Sequence, residues 1–235
     1  MKKITIISIL SLIFWILSSL STILISQYND LHEIKTLIIG FVILGINRLL
    51  FFIFEDFEIS KYISILINSI AMGFCLDAWF IYKEIEPVFT QMLITSIICM
   101  SFMILFYLSL NIKLLERKFN IYIIVFLIIS GLTFVLLALT SNSTFTSTLG
   151  YYGILSLAFL FVLCVDSVNY EELLKNFTLS TFSVLIVGVI VLLGILEVDG
   201  DVDLGGASSG TDPKLVSPKN ADVSTLKRRN EWKDL

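Results

Sequence analysis

Polar positions in this chain are gathered into short clusters, and between them lie seven long apolar runs: Ile4–Ser26, Thr36–Phe54, Tyr62–Tyr82, Val88–Leu110, Phe119–Thr140, Leu149–Val168 and Phe177–Leu196. Connections of about eight residues join them. About 20 apolar residues in a helix cross the hydrocarbon of a bilayer, so each run has the length of a membrane span. None alternates apolar and polar residues in segments of about ten, the pattern of a spanning β-strand. A lone apolar run in lipid satisfies its backbone hydrogen bonds internally, which requires a helix. The predicted fold is therefore all-α, a polytopic integral membrane helical bundle of seven transmembrane helices occupying residues 1–196. No span contains proline, which predicts seven continuous helices.

Lys and Arg set the expected direction. With the N-terminus inside, the inner segments hold Lys2, Lys3, Lys61, Lys113, Arg117, Lys118 and Lys175, whereas the outer ones hold Lys35 and Lys83. Positive residues concentrate on the cytoplasmic side, so the expected topology is N-in/C-out. The protein is then placed in the cell membrane as a multi-pass chain with a cytoplasmic N-terminus and an extracytoplasmic tail. Met1-Lys2-Lys3 resembles the start of a signal peptide, but the apolar run that follows is too long and lacks an Ala-x-Ala-like cleavage site. It reads as an uncleaved first helix. Tyr62, Tyr82, Tyr122, Tyr151, Tyr152 and Tyr170 near span ends read as an aromatic belt.

Composition sharpens the class. The chain is 57% hydrophobic and only 15% charged, with a mean hydropathy of +0.93. The net charge of −4 arises in loops and termini and names no partner. No basic stripe suggests nucleic acid. Residues 197–235 are polar and rich in Gly, Ser and Asp, which predicts a flexible tail with a short helix at 224–235, capped by Ser224.

Motifs for chemistry are sparse. Gly206-Ala207-Ser208-Ser209-Gly210 has the form of a nucleophile elbow but lies in the tail, and the chain's single histidine is His32 in the first loop. Asp199-x-Asp201-x-Asp203 begins like a calcium loop, yet Leu204 and Gly210 occupy the positions where such a loop needs Gly and Glu. Cys75, Cys99 and Cys164 fall within spans without metal-ligand spacing and read as buried thiols. No phosphate-binding Gly-rich loop occurs, and the seventh span lacks a lysine for a retinal Schiff base. No cofactor is expected.

Ionisable residues inside spans are the natural functional candidates. These are Arg48, Asp77 and Asp166, joined by the neighbouring amides Asn47 and Asn68. Arg48 and Asp166 are expected at one depth and to pair; Asp77 is expected near the opposite surface. Cys75-Leu76-Asp77 and Cys164-Val165-Asp166 form a short repeated pattern of the kind an inverted repeat leaves. Ser69, Gly73 and Asp77 share one helical face, predicted to point into the bundle with Asn47 and Asn68 bonded across it. The leading expectation is a non-catalytic membrane component, a sensor, assembly or scaffold subunit that works in the lipid bilayer through a homo-oligomer or a membrane protein partner. A small proton- or ion-coupled transporter or channel using Asp77 and Asp166 is the second reading. An intramembrane enzyme on a lipid-like substrate is the third, disfavoured because no catalytic set of side chains falls at one depth.

Overall fold

A computed structural model describes residues 2–29, 31–110, 119–165 and 169–198. Among the described residues, 89% are helical and no strand occurs. The helices are α1 (Lys2–Tyr28), α2 (Glu33–Ile53), α3 (Glu58–Tyr82), α4 (Phe89–Leu110), α5 (Phe119–Thr140), α6 (Thr144–Cys164), α7 (Tyr170–Thr181) and α8 (Val184–Val198). Six helical stretches are long and apolar enough to cross a membrane, and one of them, Tyr170–Leu196, includes both α7 and α8. The fifth run contributes Val125–Thr140, a shorter apolar helix within α5.

α3 and α6 are the central helices. α3 packs against α1, α2, α7 and α8, and α6 against α4, α5, α7 and α1. Small residues permit the closest approaches. A Cβ at Gly73 of α3 would stand 2.6 Å from Ser21 Cβ of α1, and one at Gly150 of α6 would stand 2.5 Å from the Ala138 nitrogen of α5. Neither distance admits a side chain, so these glycines fix how near the backbones lie. Exposed apolar side chains such as Ile9, Leu49, Leu105 and Leu193 cover the outside, as expected when the surrounding solvent is itself apolar.

Three expectations need correction. The seventh run is not one continuous helix beginning at Phe177: it starts at Tyr170 and breaks at Phe182–Ser183 without proline. A cluster of hydroxyls accompanies the break. Thr181 Oγ1 donates to the Thr178 carbonyl at 2.6 Å, the acceptor that the Phe182 N–H would use in a continuing α-helix. Phe182 N–H bonds Leu179 O instead, and Ser183 N–H bonds Ser180 O, which tightens the turn. Thr178 and Ser180 also donate to backbone carbonyls one turn earlier. Side-chain bonds of this kind bend helices.

The sixth helix begins earlier than expected, at Thr144, where Ser143 caps it by accepting from the Thr146 N–H. Tyr151 and Tyr152 therefore lie two turns inside and are fully buried, not in a belt at the helix end. Tyr151 meets the Trp79 ring edge-on, with centroids 5.8 Å apart, and Tyr152 stacks on Trp15 at 6.1 Å. The helix ends at Cys164, and that thiol is exposed, not buried. Asp166 and the tail from residue 199 onward, with its elbow-like and calcium-like segments and the helix expected at 224–235, lie outside the described residues.

Candidate functional site

α3 carries polar side chains at three levels, and each level binds a different set of neighbours. The middle level joins α2, α3 and α7. Asn47 Nδ2 of α2 donates to Asn68 Oδ1 at 2.7 Å and lies 3.0 Å from both the carbonyl and the hydroxyl of Ser64. Asn68 Nδ2 donates to Thr181 Oγ1 at 2.7 Å. All four residues are buried. An amide NH₂ has two protons, so three acceptors around Asn47 already saturate it. Thr181 is also the residue whose hydroxyl donates to the Thr178 carbonyl at the α7–α8 break. Amide network and helix break are thus one structure.

Asp77 occupies the level where α1 ends and α2 begins. Its Oδ2 accepts from Asn29 Nδ2 at 2.9 Å, and the same amide donates to Thr36 Oγ1 at 2.6 Å. Asn29 Oδ1 accepts the Leu31 N–H at 3.1 Å. One asparagine therefore connects its own loop, the first turn of α2 and the far end of α3. Asp77 and Thr36 are fully buried. Ser69 and Gly73, which share the face of Asp77, are buried as well.

The third level lies at the start of α3. Lys61 has a side chain only 3% exposed, and its Nζ stands 3.0 Å from Oε1 of Glu171 on α7, which is 66% exposed. Lys175, one turn further along α7, pairs with Glu55 in the α2–α3 connection. That pairing holds the Glu55 carboxyl below its ordinary range. Tyr62 and Tyr170 hydroxyls bond each other at 2.6 Å. The two ion pairs line an open cleft of about 230 Å³. In the sequence Lys61 counts as one of the loop charges that orient the chain. Its role in fastening α7 shows only once α7 is seen to begin at Tyr170.

Arg48 is exposed, and its guanidinium carbon lies 4.8 Å from the centre of the Phe182 ring, at the α7–α8 break. The stacking is a cation–π contact. The expected partner, Asp166, is outside the described residues. Cys75 and Cys99 are buried and apart from any metal-like grouping. Among the described residues, no three His, Cys, Asp or Glu side chains converge as metal ligands would.

Chemically, the arrangement joins helices. The amide protons of Asn47, Asn68 and Asn29 are directed at protein acceptors, and the buried ammonium of Lys61 at a carboxylate. Comparison with protein-family models, with curated proteins and with solved structures finds no match.

Proposed function

We propose that the chain is a multi-pass protein of the cell membrane with seven transmembrane helices, its N-terminus cytoplasmic and its tail extracytoplasmic. In this reading it is a non-catalytic component, a sensor, assembly or scaffold subunit, that acts through a second copy or a membrane protein partner. One observation carries it. The buried amides Asn47 and Asn68, with Thr181, are spent on bonds between helices. Such bonds are worth about 0.6 kcal/mol each on average inside membranes and serve as glue. The excess of Lys and Arg in alternate loops supports the orientation.

A proton- or ion-coupled transporter is the second reading, and the break at Phe182–Ser183 favours it. Transporters place their sites where a helix is interrupted, and here Asn68 stands beside such an interruption. Purification from native membranes separates the two. The proposed component emerges with a stoichiometric partner chain or as a homo-oligomer. A lone monomer that moves ions in vesicles contradicts it.

A further inference from the structure

α2 carries a charge and a glycine on the face that its neighbours leave uncovered. Val42, Gly45, Ile46, Leu49 and Ile53 recur along this exposed stripe at helical spacing, with Arg48 beside them. Among the described residues the Arg48 guanidinium makes no hydrogen bond or ion pair, and its contact is the Phe182 ring. That ring offers no oxygen to its five N–H donors. Glu55, whose carboxyl senses the Arg48 charge, is itself paired with Lys175. Gly45 is unlike the glycines that seat a helix within the bundle. A Cβ at Gly73 would stand 2.6 Å from Ser21 Cβ, but one at Gly45 would meet nothing within 4 Å. Small residues let helices approach closely in lipid, and at Gly45 the approaching helix is not part of this chain's described residues.

From these observations we infer that the α2 face around Gly45 and Arg48 docks a transmembrane helix of another protein, one carrying an Asp or Glu level with Arg48. The inference deepens the proposed reading of a component that works through a membrane protein partner, and it rests on that reading. A charge within a span needs an opposite charge, and a carboxylate can take two parallel bonds from a guanidinium. Depth separates a helix from a lipid headgroup as the source of that anion. Phe182 follows Thr181, which is bonded to Asn68, and Asn68 lies seven residues beyond Lys61 in α3. At 1.5 Å per residue the guanidinium stands about 10 Å further into the bundle than the Lys61–Glu171 pair. Helical side chains lean towards the N-terminus of their helix, which directs Arg48 away from the near end of α2. A headgroup phosphate would have to sink through that distance, whereas a spanning helix carries a carboxylate at any depth. A second copy fits poorly, because the acid that the described spans hold away from their ends is Asp77, which is fully buried.

Site-specific photo-crosslinking in native membranes tests the surface, with p-benzoylphenylalanine replacing Leu49 in the full chain. Leu49 is 67% exposed and one turn from Gly45. Illumination is expected to join the chain to one membrane protein, through an apolar segment that contains Asp or Glu when the joined peptide is sequenced. Arg48→Gln lowers that adduct at least fivefold, and Arg48→Lys keeps at least half of it. Gly45→Leu, which has room in the free bundle, lowers it at least threefold. Asp166→Asn leaves it unchanged. Adducts to lipid alone, to a second copy or to a segment without an acid overturn the inference, as does an adduct of equal strength in Arg48→Gln. Equal loss in Asp166→Asn and Arg48→Gln also overturns it, because the ion pair then closes within the chain. If a partner protein still co-purifies while Leu49 meets only lipid, this surface fails and the proposed function stands.

Discussion

The two ends of α3 hold their neighbours by opposite means. At one end the buried Asp77 side chain accepts a hydrogen bond from a neutral amide, Asn29, which also donates to Thr36. At the other the buried ammonium of Lys61 reaches a carboxylate, Glu171, that faces the surroundings. The Asp77 end pins a loop whose position is set by geometry. The Lys61 end fastens α7, an element separated from α8 by a break, through the ion pairs Lys61–Glu171 and Lys175–Glu55. We expect the first end to act as a fixed clasp and the second as a releasable one.

Substitution at the fixed end has the larger effect. Asp77→Leu leaves the half-buried Asn29 amide facing an apolar side chain, and losing that acceptor costs about 1–3 kcal/mol. Asp77→Asn retains an acceptor in the same place and is expected to keep most of that stability. Thermal unfolding in detergent micelles measures both, and protease cleavage near Asn29 shows whether the loop has come free. Equal losses in the two variants would mean that the charge of Asp77, not its acceptor, holds the loop.

At the releasable end the expectation is an asymmetry between partners. Glu171→Ala leaves a buried ammonium without its carboxylate and lowers stability by about 1–2 kcal/mol, the exposure of Glu171 keeping the loss at the low end. Lys61→Met removes the charge, preserves the length of the chain, and is expected to be nearly neutral. If Lys61→Met proves the more damaging, the ammonium has a role beyond fastening α7.

Acid gives the smallest and most selective effect. The Glu55 carboxyl is lowered by Lys175, so the pair contributes while Glu55 is ionised. That contribution is present above the ordinary carboxylate value of about 4.3 and is lost as pH falls through the lower value of the folded protein. Hydrogen exchange in α7 is therefore expected to rise below about pH 4, while exchange near Asn29 stays slow. Glu55→Gln should bring the faster exchange of α7 to neutral pH.

These contrasts also show what a linear reading detects. Long apolar runs placed most of the helices, because backbone in lipid has few alternatives. The break in the last run escapes a reading of proline alone, since what accompanies it is Thr178, Ser180 and Thr181 close together in its first half. Those three hydroxyls bond carbonyls of their own helix. Lys61 escaped for another reason. Its partner is far along the chain, so nothing local distinguishes a buried ammonium from a loop charge. Asn47 and Asn68 were legible because two amides in neighbouring apolar helices need each other, and the structure shows their bond. Asn29, in a loop, gave no hint that it holds Asp77.

The central claim is that the buried polar groups join helices and carry no protons. Proton flux into vesicles containing the purified chain, compared with the same vesicles containing Asp77→Asn, tests it most directly. The account predicts flux no greater than through protein-free vesicles in both, with Asp77→Asn still folded. Flux through the parent that disappears in a folded Asp77→Asn would contradict it.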